Sequence, residues 1–419
     1  MDKETVLNRL IALRGWMGEN GIRAFVVRDV SNIAWLTGFE GVFDGEKAHT
    51  LVVTRDKATL LTDSRYATAI NSQAKRFGKL FEINGAGGSV SSFVKNQVTL
   101  PKPPAPAEEG ADDEAVAAAA AAMAAYEAEV AKPFAIEDDI TLAEFRAMEK
   151  IVEVDAPAPL ETANVIRKFR AVKNEAELAI MRHAQSITDA AFAHMCEYVK
   201  PGMTEMDVRI ELDDFMMWSG ADSVAFASIV AAGPNSAKPH AVPGQSKLQA
   251  GQVLLLDFGA KYRGYCSDMT RCIFLGEPMP GAKQVFSVVR EANEAVEAML
   301  KPGVTGAEAQ EVADRVISKG GFGGKMGHGL GHGVGLDIHE EPYLNFRNEE
   351  PLVPGNVVTV EPGIYLPEGK IHRISLPMGS GTAEVPLIPA MGVRLEDCGV
   401  ITEDGFDVFT KSTHEIVII

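Results

Sequence analysis

Cysteine is scarce in this chain: four in 419 residues (Cys196, Cys266, Cys272 and Cys398), with no CxxC pair among them. That density and spacing rule out a disulfide scaffold and point to a reduced compartment. Also missing is any run of about 18 apolar residues, the length a membrane-spanning helix needs. The opening stretch, MDKETVLNRLIALRGWMGENG, reads as an amphipathic helix without an apolar signal core, so a cytoplasmic protein is expected. Positive charge is in deficit, with 40 Lys and Arg against 58 Asp and Glu, a net −18. That balance argues against a nucleic acid or a membrane surface as partner. What is present is a 46% hydrophobic, 23% charged composition over a length that suits two globular domains.

The first hundred residues alternate strand and helix patterns. IRAFVVRD (22–29), HTLVVTRD (49–56) and ATLLTDSRY (58–66) read as strands among polar helical stretches, a small α/β domain. The character then changes. Residues 101–140 hold ten acids, from Glu108 to Asp139, against two lysines, and 12 of the 21 residues from Ala111 to Ala131 are alanine. A solvated insertion at about 101–135 is expected, a Pro-rich disordered arm followed by a short Ala-rich helix. A helical pattern resumes at 141–150, and a long helix is predicted within 156–200. Asn174 with Glu177 has the form of an N-cap and its capping-box acid. The boundary falls near 155–170, giving domains 1–160 and 161–419.

Beyond it lies a duplication. LysProGlyMetThr at 200–204 recurs as LysProGlyValThr at 301–305; GQVLLLDFG (251–259) follows the first and GNVVTVEPG (355–363) the second, at near-equal spacing. Two matches in order mark two half-domains. Each delivers a carboxylate, Asp257 or Glu361, from a hydrophobic strand into the same relative place, so the two converge on one central site.

More acids belong to that site. If the hairpin LLLDFGAKYRGYCSDMTRCIF turns at Tyr262–Arg263, Asp257 faces Asp268, with Cβ atoms roughly 5 Å apart. Like charges so placed need a cation or a shared proton; the alternative is a different register, with one of them a rim residue. Glu396 sits in a similar apolar strand, with Arg394 two residues earlier on the same face. Buried carboxylates are rare unless paired or bound to metal. His328, His332 and His339 lie in GHGLGHGVGLDIHE, and nine of the sixteen residues from 320 to 335 are glycine. A packed helix is excluded there, and the backbone can approach a ligand closely. His328 and His332 share a face if extended, whereas His339 has opposite parity and is expected beyond a bend. Four carboxylates and an imidazole suit a hard or borderline divalent ion such as Mn²⁺, with Zn²⁺, Co²⁺ or Fe²⁺ as options. A symmetric acid set can bridge two such ions, as in two-metal hydrolysis. Cys266, Cys272 and Cys398 share parity with these acids and are expected to serve as small packing residues.

In that order, Asp257, Asp268, His332, Glu361 and Glu396 resemble the five-ligand set of the pita-bread metallopeptidases, the family of methionine aminopeptidase, aminopeptidase P and prolidase. HGLGHGVGLDIHE (328–340) is similar to the proline-peptidase signature, and DVSNIAWLTGF (29–39) with TDSRY (62–66) is similar to a creatinase-type N-terminal domain. Methionine aminopeptidases lack such a domain, so the resemblance is to the Xaa-Pro branch. It implies an α/β (α+β) fold: a creatinase-like N-terminal domain plus a pseudo-symmetric pita-bread catalytic domain, in a homodimer. By the resemblance, Asp257 and Asp268 bind one ion, Asp268, His332 and Glu361 share the second, and Glu396 bridges. Glu361 is also the general base, His339 stabilises the oxyanion, His240 belongs to the substrate pocket, and His328 lines it. Arg394 supports the acids, and Tyr365 is a further pocket candidate. The implied activity is a metal-dependent Xaa-Pro aminopeptidase acting on short proline-containing peptides. The alternatives are a prolidase restricted to dipeptides, a hydrolase of another substrate, and a non-enzymatic binding protein. One departure is the long connection 362–395, which carries His372 and is expected to form either a lid or an exposed hairpin.

Overall fold

The computed structural model describes residues 1–99, 102–151, 157–278, 280–367, 373–378, 381–386 and 390–419, so His372 lies outside the described residues. The chain forms two compact units, Met1–Lys168 and Phe169–Ile419. No helix among the described residues is long and apolar enough to cross a membrane.

The first unit runs α1 (Lys3–Glu19), β1 (Ala24–Val27), α2 (Val30–Thr37), β2 (Thr50–Thr54), β3 (Ala58–Leu61), α3 (Ser64–Lys75), β4 (Glu82–Asn84) and α4 (Val90–Val98). It continues through α5 (Asp113–Val130), β5 (Phe134–Glu137), α6 (Leu142–Glu149), β6 (Leu160–Thr162) and α7 (Val165–Arg170), which crosses into the second unit. Its six strands form one mixed sheet in the order β4-β3-β2-β1-β5-β6. Two expectations need correction here. The predicted strand 58–66 stops at Leu61, because Asp63 caps α3 by accepting from the Arg65 amide. The acidic segment is also not solvated to its end: Phe134–Glu137 is an interior strand, fully buried, pairing in parallel with β1 and β6. Glu137 survives burial because its carboxylate accepts from the Arg28 and Asp29 amides and from Asn32 Nδ2. The Ala-rich helix α5 is 18 residues long, capped by Asp112, and buries none of its side chains.

The second unit is two copies of one plan. The first copy has α8 (Glu175–Tyr198), α9 (Glu205–Trp218), β7 (Ser223–Val224), β8 (Ile229–Ala232), β9 (Val253–Phe258), β10 (Ala260–Tyr262), β11 (Tyr265–Cys266) and β12 (Met269–Phe274). The second has α10 (Pro280–Met299), α11 (Gly306–Lys319), β13 (Gly331–Gly333), β14 (Glu340–Leu344), β15 (Val357–Val360), β16 (Gly363–Leu366), β17 (Arg373–Met378), β18 (Gly381–Pro386), β19 (Met391–Arg394) and β20 (Asp397–Ile401). Short strands β21 (Phe406–Val408) and β22 (Val417–Ile418) close it. Asn174 caps α8 with the Glu177 capping box that the sequence predicts.

The repeated KPGxT motif makes the same structure twice. Thr204 and Thr305 cap α9 and α11, each in a complete capping box. The Gly202 amide donates to Leu248 O at 2.8 Å, and the Gly303 amide to Leu352 O at 2.9 Å. After each motif a central strand pairs antiparallel with a later one, β9 with β12 and β15 with β20. In this register Glu361 stands where Asp257 stands, and Glu396 where Thr270 stands. Across the approximate twofold, Thr270 and Glu396 form a bridge with each other. Arg271 and Asp397, also equivalent, form a buried ion pair at 2.6 Å. Within the long connection 362–395, β16 pairs with β19 and β17 pairs antiparallel with β18.

Candidate metal centre

Asp257 and Asp268 come from one hairpin, but not in the expected register. Asp257 faces Thr270 directly, and Asp268 lies diagonally, two residues along. The turn sits one residue later than predicted, at Arg263–Gly264, both with positive φ (47° and 84°). That is the left-handed pair a tight two-residue hairpin requires, and glycine accommodates it at the second position. A shift of two in pairing keeps both carboxylates on the same face, so the site is preserved.

His332 rides on β13, beside β15. Glu361 follows directly after β15, its amide donating to Leu330 O at 2.8 Å. Glu396 lies between β19 and β20, where Thr270 Oγ1 donates to its Oε2 at 2.7 Å. Ligand-capable atoms of Asp268, His332 and Glu396 lie within 4.8 Å of one another. His332 Nε2 is 3.6 Å from Asp268 Oδ2 and 3.5 Å from Glu361 Oε1. Glu361 is more open than the sequence implies, its side chain 17% exposed, because it has left the strand and faces a cavity.

Charge at this point is concentrated and poorly solvated. Burial, followed by the charges of Glu396, Asp257 and Glu361, pushes the Asp268 carboxyl far above its ordinary range. Burial and Glu396 push Glu361 up in the same way, and burial with Asp257 raises Glu396 to about 8. Burial holds the His332 imidazole neutral, its pKa lowered to about 3, the form that coordinates metal. Arg394 is the one guanidinium inside the cluster among the described residues: it bonds Asp257 Oδ2, Thr270 Oγ1 (3.0 Å) and the Tyr365 hydroxyl (2.6 Å). Even so, Asp257 Oδ1 and Asp268 Oδ1 are buried without a hydrogen-bond partner. Orphaned carboxylate oxygens facing a neutral imidazole and two further acids fit a divalent cation, which would supply the missing partner.

The remaining predicted residues surround a cavity of about 570 Å³ lined by His240, His328 and His339 together with Asp257, Asp268, His332, Glu361, Arg394 and Glu396. His339 lies beyond a bend, as its parity implies, and returns to place its ring 4.3 Å from that of His332. The loop bearing it is tied down by Glu340, whose carboxylate accepts from Arg170 and from Lys173 Nζ at 2.7 Å. Gly335 lets Glu340 approach: a Cβ there would sit 2.2 Å from Glu340 Oε1. The loop bearing His240 is organised by Glu205, which accepts from the Ala232 and Gly244 amides and from Asn235 Nδ2. Tyr365 is not among the lining residues. It stands behind the wall, its hydroxyl 2.9 Å from His328 Nε2 and bonded by Arg394.

Several contributors escape a reading of the sequence. Thr270 orients Glu396, while Arg209, Phe226, Tyr343 and Asn345 line the cavity. Only the duplication could have flagged Thr270, as the residue at the position of Glu396. The buried cysteines behave as packing residues: Cys272 Sγ lies against Arg394 O, and burial pushes its thiol up to about 11.

Comparison with known proteins gives two family matches, metallopeptidase family M24 over residues 179–403 and the creatinase/prolidase N-terminal domain over 9–172. An uncharacterised peptidase of Bacillus subtilis, YqhT, is 34% identical over 98% of this chain and 100% of its own length. A Xaa-Pro dipeptidase of Pyrococcus horikoshii is 35% identical over 61% of this chain and 66% of its own. Among solved structures, a Xaa-Pro dipeptidase from Bacillus anthracis superposes with a TM-score of 0.80 at 31% identity, covering 99% of this chain and 100% of that one. An X-Pro aminopeptidase from Thermotoga maritima superposes at 0.76 with 29% identity, covering 98% and 99%.

Proposed function

The chain belongs to metallopeptidase family M24, and from that premise we propose that it is a Xaa-Pro peptidase, releasing the N-terminal residue from short peptides with proline in second position. The observation that carries the reading is the convergence of Asp268, His332 and Glu396 beside the partnerless oxygens of Asp257 and Asp268. Relatives named Xaa-Pro dipeptidase and X-Pro aminopeptidase support the proline-directed substrate class.

In this reading Asp257, Asp268, His332, Glu361 and Glu396 would together hold two divalent ions, Asp257 and Asp268 on one side and His332 and Glu361 on the other. Mn²⁺ is the ion we expect from an oxygen-dominated donor set. Bound there, the ions supply Lewis acidity, lowering the pKa of water and polarising the scissile carbonyl. The residues of the chain do the rest. Glu361, the most open of the cluster's acids, accepts the proton of the attacking water and returns it to the leaving proline nitrogen. His339 donates a hydrogen bond to the developing oxyanion. His240 and His328 flank the proline ring, and Tyr365 and Gly329 O fix the His328 ring from either side. Arg394 keeps Asp257 oriented through their ion pair. A peptide bond to proline has no N–H, so a site that grips the amino end and the carbonyl loses nothing there.

The test is hydrolysis of Ala-Pro and Ala-Pro-Ala by metal-stripped protein, with and without Mn²⁺. Mn²⁺-dependent release of alanine from the tripeptide is expected. Cleavage of the dipeptide alone makes the protein a prolidase, and silence on both, with metal demonstrably bound, overturns the Xaa-Pro reading.

A further inference from the structure

Glu396 belongs to the metal centre, but the next side chain along turns to the opposite face of the sheet. There Asp397, the first residue of β20, is fully buried, and its Oδ1 accepts from Arg271 Nη2 at 2.6 Å. Arg271 directs its other donors to the carbonyls of Thr270, Glu396, Ser412 and Thr413. None of them reaches Asp397 Oδ2.

Two groups from distant parts of the second unit meet Asp397 instead. Glu297 comes from α10, and His414 from the segment between β21 and β22. One ligand-capable atom from each of the three lies within 4.8 Å of the others. His414 Nε2 stands 2.8 Å from Asp397 Oδ2, yet that oxygen carries no hydrogen bond, and neither does the buried Oε1 of Glu297. A hydrogen bond needs an N–H aimed at the oxygen, whereas coordination needs only that donors surround a common point. Donors about 2.0–2.2 Å from an ion stand roughly 3 Å from one another, close to the spacing of His414 and Asp397.

The surroundings support the same arrangement. Glu294, one turn before Glu297 on α10, places its Oε1 3.4 Å from His414 Nδ1. A carboxylate on that side keeps the proton on Nδ1 and leaves the Nε2 lone pair facing the cluster, as behind a metal-bound histidine. Charge is out of balance as well. Glu294, Glu297, Asp397 and Glu415 carry four negative charges, while the guanidiniums paired among them, Arg271 and Arg290, supply two positive ones. With His414 neutral, a divalent cation closes the difference.

One imidazole and two carboxylates suit a borderline ion. We propose that Glu297, Asp397 and His414 form a Zn²⁺ site separate from the catalytic cluster, joining the C-terminal segment to α10 and β20. That segment ends in β22, which pairs in parallel with β12, so the ion would clamp the outer edge of the strand that follows Asp268. None of the three ligands lines the catalytic cavity, and the site does not depend on the Xaa-Pro reading.

The test uses the Asp268→Ala/His332→Ala double variant, in which the catalytic cluster is disabled. It is stripped with chelator, dialysed against dilute Zn²⁺ and assayed for bound metal by mass spectrometry. One Zn²⁺ per chain bound through this site is expected, with a rise in Tm on loading. Adding Glu297→Gln or His414→Ala should weaken that binding about tenfold or more and remove the rise in Tm. A double variant that takes up no Zn²⁺ overturns the site, because protons alone then balance the cluster. Zn²⁺ content that neither further substitution lowers also overturns it, as an adventitious ion held elsewhere. Glu297→Gln preserves the size of its side chain and decides the matter if the loss of His414 disturbs the fold. In the otherwise intact chain, Glu297→Gln should lose one Zn²⁺ and keep Mn²⁺-dependent hydrolysis of Ala-Pro-Ala. Wild-type protein that cleaves no Xaa-Pro peptide counts against the proposed function and leaves this site standing.

Discussion

Asp257 Oδ1 and Asp268 Oδ1 are two buried acceptors with no donor, in a cluster whose acids all repel one another. Asp268→Ala is therefore expected to abolish high-affinity Mn²⁺ binding in a calorimetric titration. Glu361→Gln should lower kcat by about a thousandfold or more if it is the base, with the fold intact by circular dichroism. Another carboxylate bears on stability alone. Burial pushes Glu137 up to about 7 against its three donors, from an ordinary value of 4.5. Its protonated form is the one the fold favours, so its contribution is complete below about pH 4.5 and is lost as pH climbs through about 7. Glu137→Gln should flatten the decline in Tm across that window, and a variant whose Tm follows the wild-type slope would refute the assignment. Composition misleads at this residue: in sequence Glu137 belongs to an acidic run, and its partners Arg28, Asp29 and Asn32 are more than a hundred residues away.

Among the elements, local signals were readable and register was not. The capping box predicted at Asn174–Glu177 is present on α8, and the repeated KPGxT motif carries one more at the start of each of α9 and α11, which the structure reveals. Removing either repeated cap, Thr204→Ala or Thr305→Ala, should cost about 1 kcal/mol by chemical denaturation, and the two costs should be similar. The β9–β12 pairing depends on which two residues take positive φ, and Arg263 gives no hint of that; Gly264 alone was the clue. Helix α5 is the opposite case, a strong helical sequence with no fully buried side chain. Replacing residues 105–131 with a short Gly/Ser linker should leave Ala-Pro-Ala hydrolysis unaltered and shift Tm by no more than about 2 °C, since lengthening or shortening a surface loop changes closure entropy only slightly. Strand β5 was hidden because four residues next to that insertion carry too little pattern to announce an interior strand.

For the whole molecule, the net charge of −18 says little about the centre, where Arg394 alone among the described cations meets four carboxylates. Chelation should therefore lower the Tm of the second unit by several degrees, and Mn²⁺ at a hundred to a thousand times its Kd should restore about 3–4 kcal/mol. Scanning fluorimetry with and without chelator reads this directly; a Tm indifferent to metal would argue against a cation balancing the cluster. The twofold plan that reveals the site in the sequence is broken within it. Asp257 has a counterpart in Glu361, but opposite Glu396 stands the hydroxyl of Thr270, and opposite Asp268 stands Arg394. Two identical halves meeting at an axis would offer two interchangeable berths. Here one half has exchanged an anion for a neutral group and the other an anion for a cation, so the two ions of the proposed function would meet surroundings unlike in charge, and a calorimetric titration with Mn²⁺ should show two separate binding steps rather than one.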